Sequence, residues 1–223
     1  MESSARSKNL TWHAGSVSPR TRRRLLGQRG CVVWPTGLSG SGKSTIAFAL
    51  EKQLARLGRP AYVLDGDNIR HGLNADLGFS PCDREENLRR VGQVAALFAD
   101  AGLLAIAAFV SPYRAARARA RQAVDQAVGA GRFAEVFCDA PLAVCQRRDP
   151  KGLYRKARAG RLKGLTGVDA PYEPPRSADL TLDTAGTTVR ECVSAVIELL
   201  VNRRLIPPAG RRPRGGPSQG RPS

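Results

Sequence analysis

The sequence predicts an α/β fold, a parallel β-sheet with helices on both faces, and three observations predict it. Short apolar runs alternate with longer runs of helical period along most of the 223 residues. One short run, Leu103–Val110, is apolar at every position, as suits a strand buried on both faces. A glycine-rich stretch follows the first strand-like run and opens the first long helix-like one. The length allows one domain with short extensions. Apolar residues at 42% and charged residues at 25% exclude a disordered or collagen-like chain. Leu103–Val110 is also the longest apolar run, far short of the roughly 20 residues that span a bilayer. Aromatics are only 5%, so the core must be built from Ala, Leu and Val.

Cys31–Trp34 reads as the first strand. A helix from about Lys43 to Leu57 follows, with Ile46, Leu50, Leu54 and Leu57 on one face and Gly58 as its stop. Ala61–Leu64 is a short buried strand. Ser80-Pro81-Cys82-Asp83 has the form of a helix start, a serine cap with an acid three residues on. That helix runs to about Ala101 and turns Leu88, Val91, Ala95 and Phe98 inward. Strand Leu103–Val110, an Ala- and Arg-rich helix Tyr113–Val128, strand Phe133–Cys138 and a short helix Pro141–Arg147 come next. Residues 149–175 are rich in Gly, Lys and Arg without a long apolar pattern, and loops of that length are often lids or binding loops. Leu180–Leu182 is a last strand and Thr188–Leu200 a last helix.

The net charge of +17 is uneven. Residues 1–29 carry +6 and residues 203–223 another +6, which leaves +5 for residues 30–202. The domain organisation expected is therefore a basic extension (1–29), one folded domain (30–202) with a mobile lid at about 149–175, and a disordered Arg/Pro/Gly-rich tail (203–223). Such tails are solvated and weakly adhesive, so nucleic-acid contact is expected to be non-specific only. The five cysteines are odd in number and lack C-x-x-C spacing, which argues against a metal site or a disulfide framework and suits a reducing compartment. Arg22–Leu26 is followed at once by Gly27-Gln28-Arg29 and so lacks the apolar stretch of an export signal. The chain is read as cytoplasmic, with no membrane partner.

Gly37-Leu38-Ser39-Gly40-Ser41-Gly42-Lys43-Ser44 matches G-x-x-x-x-G-K-[ST] in the strand–loop–helix context that gives the pattern its mechanism. Backbone N–H groups converge on phosphate oxygens, and the helix N-terminus adds partial positive charge. Lys43 would reach the β- and γ-phosphates, and the Ser44 hydroxyl would ligate Mg²⁺. A guanine-reading N-K-x-D string does not occur, so a small kinase is preferred over a switch GTPase. Pro35 jars, because a proline removes a ladder donor from a strand.

Asp65-Gly66-Asp67-Asn68 follows the second strand, where ligands bind in parallel sheets. One carboxylate could hold Mg²⁺ and the other orient or deprotonate an acceptor hydroxyl; a plain Asp-Gly turn is the alternative. Arg70, Arg84, Arg89 and Arg90 lie nearby, and helical spacing puts Arg84 beside Asn87. Guanidinium groups suit an anionic acceptor, whereas Arg89 and Arg90 read as a solvated face.

The strings GLSGSGKST, LDGDNIRHGLNADLGFSPCDREEN, FVSPYR, RDPKGLYRKARAG and KGLTGVDAPYE closely resemble the adenylyl-sulfate kinase (APS kinase) family. The similarity runs from Asn9-Leu10-Thr11-Trp12-His13 to the last helix. The resemblance implies the P-loop kinase fold, and transfer of the ATP γ-phosphoryl to the 3′-hydroxyl of adenylyl sulfate (APS), giving ADP and 3′-phosphoadenylyl sulfate (PAPS) in sulfate assimilation. It implies that Gly37, Ser39, Gly40, Ser41, Gly42, Lys43, Ser44 and Thr45 bind ATP, with Ser44 and Asp65 at Mg²⁺ and Asp67 at the acceptor hydroxyl. Asn68, Ile69, Arg70, Phe79, Arg84, Asn87, Val110, Ser111, Lys151, Leu165 and Thr166 would line the APS pocket, with Phe79 stacked on adenine. The resemblance also implies a homodimer, and a phosphoserine intermediate at Ser111, although direct transfer needs only positioning and charge stabilisation. A turn serine is the plain reading of Ser111. Leu165 stands where the family usually has Phe, Cys82 where it has an acid, and Pro35 where it has an apolar strand residue. The alternatives are a P-loop kinase for another small alcohol or nucleotide, and a non-catalytic basic relative that binds nucleotides or nucleic acid.

Overall fold

The computed structural model describes residues 9–11, 13 and 15–208. The strands are β1 (Cys31–Thr36), β2 (Ala61–Asp65), β3 (Leu104–Ala108), β4 (Phe133–Asp139) and β5 (Leu180–Asp183). They form one parallel sheet in the order β2-β3-β1-β4-β5. The helices are α1 (Pro19–Leu26), α2 (Lys43–Arg56), α3 (Pro81–Asp100), α4 (Arg114–Val128), α5 (Leu142–Arg148), α6 (Leu153–Arg158) and α7 (Val189–Asn202).

Strand alternation divides the core into two layers. Cys31 and Val33 turn to one face, where Ile46, Leu50 and Leu54 of α2 and Val193, Val196 and Leu200 of α7 cover them. Val32 and Trp34 turn to the other, beneath Leu88, Val91 and Ala95 of α3 and Ala116, Ala120 and Val124 of α4. Trp34 lies 5.5 Å from the Phe133 ring and 6.0 Å from that of Phe109, so the few core aromatics are gathered on one face. Gly92 lets α3 and α4 touch: a Cβ there would lie 3.2 Å from Ala120.

Two capping boxes start helices where the sequence indicates. Ser80 Oγ accepts the Asp83 N–H at the start of α3, and Thr188 does the same for Glu191 at α7. Pro35 sits inside β1, which is a central strand. It is tolerated because its missing donor faces β3 above the end of that ladder. Pairing of β1 with β3 covers Cys31–Val33 only, whereas pairing with β4 continues to Thr36. The Pro35 carbonyl still accepts the Phe109 N–H at 3.3 Å.

Three features depart from the sequence reading. Helix α1 lies in the segment read as an extension. Its signals are local: Ser18 Oγ accepts the Thr21 N–H, Pro19 occupies the first turn, and Gly27 closes the helix at φ 63°. Four arginines leave it no apolar stripe, which is what hid it. Residues 149–175 contain α6, and Tyr154 and Leu165 build a small apolar cluster with Ala140 and Cys145. Finally, the boundary at 202/203 is too early. Leu205 and Ile206 are buried in the core, Arg203 pairs with Asp179, and the Arg29 N–H donates to Leu205 O at 2.8 Å. Trp12 and the rest of the expected tail, residues 209–223, lie outside the described residues.

Candidate active site

A cleft of about 830 Å³ opens over the carboxyl ends of the strands. Its donor side is the loop between β1 and α2. Gly37 (φ 147°) and Gly40 (φ 77°) hold the loop tight against its neighbours. A Cβ on Gly37 would come within 2.6 Å of Cys138 O, and one on Gly40 within 2.8 Å of Cys145 O. Gly42 has no side chain with which to cap α2, so the first amide groups of that helix are left to an anion. Lys43 Nζ donates to Leu38 O at 2.7 Å, which folds the ammonium back across its own loop. Burial lowers its pKa to about 8. Ser44 Oγ donates to Asp65 Oδ2 at 2.7 Å, and Asp65 Oδ1 accepts the Asp67 N–H at 3.0 Å. A hydroxyl and a carboxylate side by side at a phosphate loop are hard oxygen donors of the kind Mg²⁺ takes.

The acceptor side is built from the segment after β2, the start of α3 and residues 149–175. Asp67 makes an ion pair with Lys151 across the cleft. Arg70 donates to Leu77 O and Gly78 O at 2.8 and 3.0 Å, which fixes its guanidinium 4.3 Å above the Phe79 ring. Phe79 is nonetheless 70% exposed, so one ring face is backed by a cation and the other is available for stacking. Arg84 ties the two walls together: it donates to Phe79 O at 2.9 Å, to Thr166 Oγ1 at 2.6 Å, and to Gly164 O. Asn87 Oδ1 accepts from buried Asn74 at 2.9 Å, which leaves the Asn87 NH₂ group for the cleft.

Ser111 closes the floor. It is 2% exposed and has φ 42°, a left-handed conformation uncommon outside glycine. Its hydroxyl donates to Thr36 Oγ1 at 2.8 Å and accepts the Trp34 indole N–H at 3.2 Å. Thr36 in turn bonds Val110 O at 2.8 Å and the Tyr172 hydroxyl at 3.1 Å. Burial pushes the Tyr172 phenol up to about 12, so it remains a neutral hydroxyl.

Of the residues singled out in the sequence, Ser39, Gly40, Gly42, Lys43, Ser44, Thr45, Asp65, Asp67, Arg70, Phe79, Arg84, Asn87, Val110, Ser111, Lys151, Leu165 and Thr166 all border this cleft. Gly37, Ser41, Asn68 and Ile69 are not among the residues that border it. Gly37 and Ser41 act inside the loop, and Ile69 packs against the core beneath α3. Leu165 serves two surfaces, the cleft and the cluster around Tyr154. Sequence reasoning missed Arg148, which reaches Thr184 O at 2.7 Å and Gly40 O at 3.4 Å, and the Thr184–Thr188 wall beside it. Arg148 stands in a quoted string, but nothing in its spacing separated it from Arg147. Among the described residues no helix is long and apolar enough to cross a membrane.

A parallel β2-β3-β1-β4-β5 sheet, a phosphate loop at the β1–α2 junction and a second, cationic wall facing it define a P-loop kinase. Residues 29–183 match the family described as adenylylsulphate kinase. The chain is 53% identical over 201 residues to adenylyl-sulfate kinase 1, chloroplastic, of Arabidopsis thaliana, covering 90% of this chain and 71% of that protein. It is 53% identical over 199 residues to the adenylyl-sulfate kinase of Escherichia coli O1:K1, covering 89% and 96%. Among solved structures, that of the Mycobacterium tuberculosis APS kinase CysC in complex with AMPPNP and APS is similar, with a TM-score of 0.74, 54% identity and coverage of 78% and 98%. The chain belongs to the adenylyl-sulfate kinase family.

Proposed function

We propose that the protein transfers the γ-phosphoryl of ATP to the 3′-hydroxyl of adenylyl sulfate, releasing ADP and PAPS for sulfate assimilation. The observation that carries this reading is that one cleft presents a phosphate-gripping loop on one wall and, on the other, two fixed arginines beside an exposed aromatic ring. The relative solved with AMPPNP and APS bound supports it.

ATP lies with its phosphates over the α2 amino end, and Lys43 turns from Leu38 O to the β- and γ-phosphates. Ser44 and Asp65 would hold Mg²⁺, which when bound would supply positive charge to offset that of the phosphates. The APS adenine stacks on the free face of Phe79, and Arg70 and Arg84 face the sulfate–phosphate anhydride. Asp67 accepts the proton of the 3′-hydroxyl as its oxygen forms the new O–P bond and the bridging β,γ bond breaks, leaving the electron pair on ADP. Residues 149–175 close over both nucleotides through Lys151 and Thr166 and keep water from the γ-phosphoryl. Ser111, whose hydroxyl is bonded to Thr36 and Trp34 at the cleft floor, positions the acceptor in this reading, since direct transfer needs only positioning and charge stabilisation. A homodimer is part of the proposal, and sedimentation at the monomer mass of 23.9 kDa would remove that part.

The test is a coupled assay for ADP with APS, with no acceptor, and with a panel of other alcohols and nucleotides. ADP formed in step with PAPS, and only with APS, is expected. Equal ADP release without acceptor or with another alcohol overturns the reading. Intact mass after incubation with ATP alone tests Ser111: an added phosphoryl group would restore the phosphoserine intermediate.

A further inference from the structure

Arg117 lies one turn into α4, behind the cleft floor, and is only 3% exposed. A guanidinium that is so buried must have its donors satisfied. It donates to Ser111 O at 2.7 Å, to Glu173 O at 2.8 Å and to Glu135 Oε1 at 2.5 Å. These three acceptors belong to different parts of the site. Ser111 is the strained turn after β3, Glu173 is the return of the 149–175 segment to the sheet, and Glu135 is on β4. The two loops also bond each other, since the Glu173 N–H donates to Pro112 O at 2.8 Å. Tyr172, beside Glu173, reaches Thr36, which holds the Ser111 hydroxyl.

We propose that Arg117 is a positioning residue for the acceptor: it holds the Ser111 turn in its left-handed conformation and locks the end of the 149–175 segment to it. A non-glycine residue at φ 42° relaxes unless its surroundings over-determine it. Here the carbonyl is pinned by a charge-assisted bond from Arg117 and the hydroxyl by Thr36 and Trp34. Glu135 neutralises Arg117 and aims its fork, so that two carbonyls from separate loops are bridged by one rigid plane. Lysine keeps the charge but cannot bridge both. The consequence is specific, because Arg117 touches neither the phosphate loop nor any other donor-side residue by hydrogen bond in the described structure. Its loss moves the acceptor wall and the segment that covers it, while the grip on ATP stays.

The inference rests on the APS kinase reading, so the wild-type protein is assayed first; a wild type that forms no PAPS overturns that reading. Arg117→Met alone would leave the Glu135 carboxylate facing only Arg121, 4.0 Å away, so the deciding variant is Arg117→Met with Glu135→Gln, which removes both charges of the pair. The expected result is a folded protein whose KM for APS rises about tenfold or more, the scale of one lost charge-assisted bond, while its Kd for ATP stays within about twofold. Arg117→Lys should fall between wild type and the double variant. An unchanged APS KM, or equal losses for ATP and APS, overturns the positioning role. Should the double variant not fold, Arg117→Lys decides on the same two readouts.

Discussion

The Lys43 ammonium is buried, bonded to Leu38 O and lowered to a pKa of about 8. Polyphosphate bound beside it would stabilise the charged form and raise that value, so nucleotide binding takes up a proton. Affinity is therefore full below about pH 7 and falls as pH rises through 8. Titrating ADP binding from pH 7 to 9.5 should show this decline, and Lys43→Arg, which stays charged, should abolish it; a flat wild-type profile rejects the account. Asp67→Asn should leave ATP binding intact and lower turnover by about 10²–10⁴, the usual range for a lost general base. Equal loss of binding and turnover would give Asp67 another role. Leu165→Phe would offer the acceptor adenine a second ring, but Leu165 also packs on Tyr154. The expected outcome is a lower KM for APS with a lower Tm, from overpacking that costs about 1–3 kcal/mol. An unchanged KM counts against a stacking role. At this scale the glycines, Lys43, Ser44 and the paired aspartates were legible, because each is demanded by chemistry at a fixed spacing. Arg117, Arg148 and Asn74 were not, since their roles lie in partners more than ten residues away or in a carbonyl, which no spacing encodes.

Helices α3 and α4 meet through small residues, and a Cβ on Gly92 would lie 3.2 Å from Ala120. Gly92→Leu should force the pair apart and cost about 1–3 kcal/mol or more, with α3 carrying Arg84 and Asn87 away from the cleft. Denaturant unfolding measures the loss; a stability equal to wild type would mean that the helices are not held at this point. The elements that could be read in advance had two agreeing signals. Helix α3 combined apolar period with its Ser80–Asp83 box, and β3 combined apolarity on both faces with length. Helix α1 had caps but no apolar face, and α6 had an apolar face too short to show a period. Pro35 conflicts with a central strand on sequence grounds, and only the register resolves it: the donor it lacks points above the last β1–β3 pair, a relation between residues 73 apart.

Charge, counted along the whole chain, is heaviest toward its two termini. Cutting the chain after Pro208 removes Arg211, Arg212, Arg214 and Arg221 and keeps Leu205 and Ile206, which the core needs. That truncation should weaken retention of DNA in a gel shift that falls steeply with salt, and leave kinase turnover unchanged. Salt-independent retention, or lost turnover, rejects the view that the tail is only weakly adhesive. Composition gave the uneven charge, but not the place where residues 28–29 meet Leu205, because that depends on Gln28 bonding Pro60 O and Gly102 O and on Arg29 bonding Leu205 O. Those contacts lie at the amino ends of the strands, and the cleft lies at the carboxyl ends. A dye or surface linker fixed at Arg204, next to Leu205, would therefore sit at the pole away from the cleft and leave its mouth clear for arriving nucleotides.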